Sequence, residues 1–208
     1  YFILVLETAR KIFDIGGVKL HRGPSLNPER LEECVKMFEK AIEKGTRFRG
    51  EAWNRKGDAL LHLEKWEEAI EAYDRAMEEC GENAGILFNK GKALIKLKRW
   101  KEAEETMDKV VKEAPDDVEA WFYKGLALLN MEKLEDSLTA FERVIKLAPH
   151  IPEAHTFRGM VLELLGRTEE AEKEYEWLDG IMGVSRELGE VEYDEVMEII
   201  DDDLFDEW

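Results

Sequence analysis

The chain has 208 residues, of which 38% are charged, and its formal net charge is −18 at pH 7. Because nucleic-acid binding relies on neutralising phosphates, this balance disfavours DNA and RNA as partners. No apolar run approaches the ~20 residues that a membrane-spanning helix needs. Two cysteines, Cys34 and Cys80, without a CxxC motif favour a reducing, cytoplasmic location over a disulfide-linked scaffold. The Lys- and Glu-rich composition is typical of thermophilic proteins.

Residues 1–49 predict a degenerate helical hairpin with a long loop inserted between its helices. Apolar residues recur at helical spacing through residues 2–15, and a Gly-Gly pair follows as a stop signal. A second helix is predicted over 28–44, where Asn27 is a suitable N-cap and Pro28 suits the first turn. The loop between them is either a functional feature or a tolerated surface excursion.

From residue 50 onward the sequence repeats with a period of 34 residues. A period of this length is typical of proteins built from stacked helical hairpins. Each repeat predicts a first helix with a glycine in its middle and a second helix with a small residue followed by a large one. The four frames are 50–83, 84–117, 118–151 and 152–185; their glycines are Gly57, Gly91, Gly125 and Gly159, preceded by Lys56, Lys90, Lys124 and Arg158.

The mid-helix glycines need a structural reason, since glycine costs about 1 kcal/mol relative to alanine in a helix interior. We expect each glycine to let its helix approach the second helix of the same frame closely, opposite the small residue there. The large residue one turn further along is expected to fill the space beside that contact. The small residues are Ala69, Ala103, Ser137 and Ala171, and the large ones are Tyr73, Met107, Phe141 and Tyr175.

This order of a large residue, glycine, a large residue, a small residue, an aromatic residue and proline resembles the tetratricopeptide repeat family. The resemblance implies an all-α fold, a right-handed α–α superhelix of stacked antiparallel helix hairpins. It also implies that the first helices line a concave side, where members of the family usually bind extended peptides or helices of a partner.

Residues 186–208 differ from the repeats in composition, with eleven acidic residues and one basic residue. Apolar residues still recur on one helical face, from Tyr193 through Val196 and Ile200 to Leu204. This pattern predicts an acidic amphipathic helix. Three alternatives remain open: the helix caps the end of the stack, it fills a groove of its own or of a second copy, or the last residues are disordered.

The sequence contains no recognisable catalytic or metal-binding motif. The four histidines are scattered without an HExxH pair, and Asp201 to Asp203 lack the spacing of a calcium-binding loop. No serine or cysteine lies in a known nucleophile motif. We therefore expect a protein that is not an enzyme and needs no cofactor or metal.

The expected binding surface is the apolar and aromatic stripe of the first helices. An exposed patch of that kind normally marks an interaction site, unless neighbouring helices or the C-terminal segment already cover it. The predicted partner-binding residues are Phe88, Asn89, Lys92, Ile95, Phe122, Tyr123, Leu126, Phe157 and Met160.

These features predict a scaffold that binds an apolar or amphipathic segment of another protein on its concave face. Two alternatives stay open. The acidic C-terminal helix could assemble the chain into a homo-oligomer, or the chain could be the regulatory domain of a larger protein.

Overall fold

Helices account for all the regular secondary structure in the described part of the chain. The computed structural model describes residues 27–45 and 47–182, without the side chains of 179, 181 and 182. The predicted helix over 2–15, the loop after it and the acidic segment 186–208 lie outside the described residues. The helices are α1 (Pro28–Glu43), α2 (Arg49–His62), α3 (Trp66–Cys80), α4 (Ala84–Lys96), α5 (Trp100–Glu113), α6 (Val118–Asn130), α7 (Leu134–Leu147), α8 (Pro152–Leu164) and α9 (Thr168–Met182).

The chain divides into two compact units at the bond between residues 115 and 116. Unit 1 contains α1 to α5, and unit 2 contains α6 to α9. Within each unit, successive helices pack against each other as antiparallel hairpins. Each of the four predicted frames thus holds one helical hairpin, although α2 begins one residue before its frame. The frame boundaries themselves remain a prediction.

Short polar side chains start several of these helices. The Asn27 carboxamide oxygen accepts a hydrogen bond from the backbone N–H of Glu29 at 3.0 Å, so the predicted N-cap is confirmed. Asn83 caps α4 in the same way, through the N–H of Ile86 at 3.0 Å. Such caps satisfy N–H groups that have no partner inside the helix.

All four hairpin turns use the same backbone motif. In the first, the N–H of Lys65 donates to the carbonyl of Leu60, and the N–H of Glu64 donates to Leu61. This six-residue closure is a Schellman motif, which needs a left-handed residue just after the helix. Only the last turn has glycine there. The left-handed residues are Glu64 (φ 57°), Lys98 (φ 56°), Glu132 (φ 58°) and Gly166 (φ 73°).

The large residue of each second helix, rather than the small one, lies over the glycine of its frame. A Cβ atom on Gly57 would lie 2.6 Å from the Tyr73 ring, and one on Gly125 would lie 2.9 Å from the Phe141 ring. The small residue is close as well: Ser137 Oγ donates to the Gly125 carbonyl at 2.9 Å. The expected close approach is therefore present, but the ring is the group that excludes a side chain from the glycine.

A basic residue in front of the glycine links successive hairpins within each unit. Lys56 pairs with Glu39 at 2.9 Å, and Lys90 pairs with Asp74 at 2.5 Å. In both pairs the carboxylate directly follows the large residue of the preceding second helix. Arg158 pairs in the same way with Glu142 at 3.4 Å, so Lys56, Lys90 and Arg158 form ion pairs of one repeating kind. Each is worth at most ~1 kcal/mol, because the carboxylates are nearly half exposed.

Candidate functional site

The predicted site residues of unit 1 lie on α4. Phe88, Asn89 and Lys92 are half-buried, whereas Ile95 is buried in the core. The expected exposure of Ile95 is therefore wrong. Leu94 faces the core at helical spacing from Gly91. Neighbouring side chains cover both Leu94 and the adjacent Ile95. An apolar residue adjacent to the core stripe broadens the buried face of a helix.

Asn89 makes an internal contact in a polar cluster between α2 and α4. Its side-chain N–H donates to Asp58 Oδ1 at 2.9 Å, and the Tyr73 hydroxyl donates to the same oxygen at 3.0 Å. Arg55 lies 3.4 Å from the other carboxylate oxygen. Burial raises the pKa of Asp58, although the bonds from Tyr73 and Asn89 and the charge of Arg55 act in the opposite direction. This buried, hydrogen-bonded carboxylate fixes the spacing of the two first helices.

Four predicted site residues of unit 2 are buried, so their expected exposure is wrong. Phe122 has its ring centroid 5.6 Å from that of Phe141 and 5.5 Å from that of Phe157. Tyr123 contacts Phe122 edge to face. Such aromatic clusters are favoured in cores by both area and ring geometry. The four buried residues belong to the interior, where a partner cannot contact them. They are Phe122, Tyr123, Leu126 and Phe157.

Met160 lies instead at an open cleft of about 700 Å³ in unit 2. The cleft lies where the C-terminal ends of α6 and α8 meet the start of α7. Leu164 is 60% exposed, the largest exposure recorded for a large apolar side chain in the described residues. Four apolar and three polar side chains line the cleft: Leu129, Leu134, Met160 and Leu164, with Asn130, Glu132 and Glu163.

The polar rim of this cleft is acidic. Glu132 occupies the left-handed position just after α6, and Glu163 lies in the last turn of α8. Helix C-termini carry partial negative charge, so a carboxylate at such a position costs ~0.3–1 kcal/mol. Glu132 and Glu163 thus both occupy positions around the cleft where the helix dipole disfavours a carboxylate. Locally unfavourable residues of this kind occur most often at functional sites.

The corresponding positions in unit 1 carry different chemistry. Where unit 2 has Met160 and Leu164, the frame of unit 1 has Lys92 and Lys96, 68 residues earlier. Leu134 corresponds to Trp66, and the Lys96 ammonium lies 6.0 Å from the centroid of that ring. The same backbone positions therefore form a cationic and aromatic surface in unit 1 and an apolar, acidic cleft in unit 2.

Of the nine predicted partner-binding residues, Met160 alone lines this cleft. A usable signal was present in the position five residues after each glycine. It is polar in three frames, as His62, Lys96 and Asn130, and apolar only as Leu164. An apolar residue at a position that is otherwise polar indicates either a local core or an exposed contact surface.

A second polar cluster lies at the end of unit 2. His155 Nδ1 is 2.6 Å from Glu174, and its Nε2 is 3.1 Å from the Pro149 carbonyl oxygen. Its ring stacks on Trp177 at 3.7 Å, and Arg158 also binds Glu174. Every polar atom of the imidazole thus has a structural partner. No group of three or more metal-ligating side chains occurs among the described residues.

Both cysteines are free thiols. Cys34 is buried in α1, and burial together with nearby Glu33 raises the pKa of its thiol. Because the thiolate is the reactive form, burial and the raised pKa both lower the reactivity of Cys34. Cys80 is exposed, and its thiol donates to the carbonyl of Ala76 at 3.0 Å.

Family patterns described as tetratricopeptide repeat match this sequence over residues 29–84, 60–124 and 124–179. The chain is a tetratricopeptide repeat protein. The resemblance seen in the glycine frame is confirmed, and so is the all-α class. Tetratricopeptide repeat proteins generally act as scaffolds for protein–protein interactions rather than as enzymes. No curated protein sequence matches the chain.

Solved structures of other tetratricopeptide repeat proteins share the fold. A MamA RS-1 double mutant superposes with a TM-score of 0.76 at 20% identity, covering 87% of this chain and 94% of that one. MamA from Desulfovibrio magneticus RS-1 gives a TM-score of 0.72 at 22% identity, covering 84% and 94%. YrrB, described as a tetratricopeptide repeat protein with an unusual peptide-binding site, gives 0.74 at 20% identity, covering 96% and 91%.

Within residues 27–45 and 47–182, none of the tetratricopeptide repeat helices combines the length and the apolar character needed to cross a bilayer.

Proposed function

We propose that this protein is a non-catalytic scaffold that binds a segment of a partner protein, and that the cleft around Met160 and Leu164 is the contact site. The observation that carries the proposal is the cleft itself, with a leucine left 60% exposed, whereas the other large apolar residues of the described part are buried or half-buried. Leaving an apolar side chain in water is unfavourable, and exposed apolar patches with polar rims are typical of interaction sites.

The other predicted residues contribute in two ways in this proposal. Phe88, Asn89 and Lys92 lie half-buried on the first-helix surface of unit 1, where a partner can touch them. The buried aromatic cluster acts by holding the helices of unit 2 that present the cleft, and the buried Ile95 packs α4 into the core of unit 1. The peptide-binding site named for YrrB supports peptide recognition as a use of this fold.

A capture experiment tests this proposal. The wild type, Leu164→Lys and Thr139→Lys are immobilised, and partners are captured from a native lysate. Lysine is compatible with the fold at the first position, since Lys96 occupies it in unit 1. Thr139 is an exposed α7 residue, and Thr139→Lys adds the same charge.

We expect Thr139→Lys to retain the proteins that the wild type captures and Leu164→Lys to lose at least one of them. Circular dichroism melts establish that all three proteins are equally folded. Identical capture by the three proteins would exclude the cleft as the contact site.

Two further expectations belong to this proposal. The cytoplasmic location rests on the cysteine pattern and stays a prediction. Homo-oligomer formation through the acidic C-terminal helix depends on residues 186–208, outside the described residues, and also stays a prediction.

A further inference from the structure

We infer that the cleft of unit 2 recognises a cationic amphipathic segment, in which apolar side chains are flanked by Lys or Arg. This inference rests on the proposed function and adds the chemistry of the partner to it. It follows from three observations: the apolar lining, the acidic rim and the different side chains at the corresponding positions of unit 1.

The lining determines the apolar part of the ligand. Met160 and Leu134 are half-buried, and Leu164 is mostly exposed, so their accessible faces form one continuous apolar opening. Methionine adapts its shape to different apolar ligands more readily than branched side chains do. The volume of about 700 Å³ lies within the ~300–1,000 Å³ of typical ligand sites, which suits a few apolar side chains of a peptide.

The rim determines the charge of the ligand. Neither Glu132 nor Glu163 has an ion-pair partner within the described ranges, and both side chains are exposed. The partial negative charges of the α6 and α8 C-termini add to theirs. The neighbouring cations do not neutralise the rim, since Lys133 does not line the cleft and the Arg167 guanidinium is bound to Glu170.

Charge also argues against the chain's own acidic segment as the occupant. Residues 186–208 carry eleven acidic residues and one basic residue, so two rim carboxylates would repel them. A partner rich in Lys or Arg is attracted by the rim and, at longer range, by the net charge of −18.

The side chains of unit 1 provide the selectivity. Lys92 and Lys96 stand where Met160 and Leu164 stand in unit 2, and the Lys96 ammonium lies near the Trp66 ring. Lysines there replace the methionine and leucine of the lining, so the apolar side chains that such a segment needs are exchanged for basic ones in unit 1. The inference therefore assigns such a segment to unit 2 alone.

The test uses the complete protein and three fluorescein-labelled peptides of about 18 residues, long enough to form a helix. All three carry leucine at the same helical positions. Their polar positions are filled with Lys, Gln or Glu. Fluorescence anisotropy at about 0.1 M NaCl measures the affinities, because at this ionic strength only charges within ~10 Å interact strongly.

We expect the Lys peptide to bind at least about tenfold more tightly than the Glu peptide, with the Gln peptide between them. The double variant Glu132→Lys/Glu163→Lys should remove this preference, and Leu164→Lys should weaken binding of the Lys peptide about tenfold or more. The matched control is Glu169→Lys/Glu172→Lys on exposed positions of α9, which changes the net charge equally. It should retain the preference.

Each other outcome overturns the inference in a recognisable way. If the rim and control variants lose the preference for the Lys peptide equally, the net charge of the protein attracts the peptide and the rim carboxylates do not form a specific site. Equal binding of the Lys and Glu peptides, lost in Leu164→Lys, would refute the charge rule but leave the proposed function standing. Absence of binding by the Lys peptide refutes the inference, while lysate capture still decides the proposed function. Self-association that disappears in Leu164→Lys would assign the cleft to a second copy.

Discussion

At the scale of single residues, the contact between a ring and a helical glycine is the feature on which each hairpin depends. A Cβ atom on Gly57 would meet Tyr73 Cε1 at 2.6 Å, closer than the packed ring allows. Tyr73 is fully buried, and its hydroxyl is bound to Asp58, so the ring has little freedom to move away.

We therefore predict that Gly57→Ala lowers the free energy of unfolding by about 2–3 kcal/mol, although alanine is the better helix former. Urea denaturation measures the change. Gly180→Ala is the control, because no atom lies within 4 Å of the added methyl group. It should be neutral or stabilising by up to ~1 kcal/mol. A loss of the same size in both variants would contradict the ring contact as the cause.

A second prediction at this scale concerns Asp58, whose pKa burial raises above the ordinary value of 3.8. Between 3.8 and the folded-state pKa, the folded protein holds more protons than the unfolded chain, so rising pH lowers the contribution of this group to stability. Asparagine accepts the same hydrogen bonds from Tyr73 and Asn89 but does not titrate.

The stability of Asp58→Asn relative to the wild type should thus increase as the pH rises from about 4 and level off above the folded-state pKa. Urea midpoints of both proteins across this range measure the difference. A stability difference that falls with pH would mean that the hydrogen bonds lower the pKa of the Asp58 carboxyl group more than burial raises it.

At the scale of elements, the hairpin turns place three residues other than glycine in the left-handed region. For an L-residue this conformation is strained, whereas glycine adopts it freely. Lys98 occupies such a turn with φ 56°, and Gly166 occupies the equivalent turn with φ 73°.

We predict that Lys98→Gly raises the free energy of unfolding by about 0.5–1 kcal/mol and that Gly166→Lys lowers it by a similar amount. Thermal or urea denaturation measures both. Lys101→Gly makes the same chemical change on an exposed position in the first turn of α5, where it should be destabilising by up to about 1 kcal/mol. Equal effects at positions 98 and 101 would show that the turn geometry is unimportant.

Much of the element level could be predicted from the sequence. Gly57 and its three equivalents set the frame, and Asn27 and Pro28 marked the start of α1. The spacing of Lys56 and its equivalents was visible in the sequence, but their acidic partners were not. These features are local or strictly periodic. The left-handed Glu64, Lys98 and Glu132 could not be predicted in this way, because no glycine marks their turns.

The site was predicted less well, for a physical reason. Helical periodicity gives the direction of a side chain but not the depth to which neighbours cover it. Phe88 and Phe122 occupy the same position of the frame, yet Phe88 is half-buried and Phe122 is buried between Phe141 and Phe157. The exposed member of the surface was Leu164, which periodicity did not separate from an ordinary helix residue.

At the scale of the whole molecule, net charge opposes folding. The chain carries 48 acidic and 30 basic residues, and repulsion among the excess carboxylates favours the expanded state. Salt weakens both this repulsion and the exposed ion pairs, but the pairs contribute only ~0–1 kcal/mol each. The repulsion acts on every excess charge. The stability gained when salt screens this repulsion should therefore exceed the stability lost when salt weakens the ion pairs.

We predict a higher thermal midpoint in about 0.5 M NaCl than in about 0.02 M, because the screening distance falls from over ~20 Å to a few ångströms. Scanning calorimetry measures both midpoints. Glu172→Lys removes part of the excess and should raise the midpoint more at the lower salt concentration. A midpoint that falls with salt would show that the ion pairs between hairpins outweigh the repulsion.

Lys92 and Lys96 of unit 1 occupy the same repeat positions as Met160 and Leu164 of unit 2, and this equivalence has a consequence for protein engineering. The side chains that pack each hairpin and those that contact a binding partner occupy different positions of the repeat. One set can thus be rewritten while the other is left alone. A library that varies only the partner-contacting positions of one repeat would sample new specificities on an unchanged support.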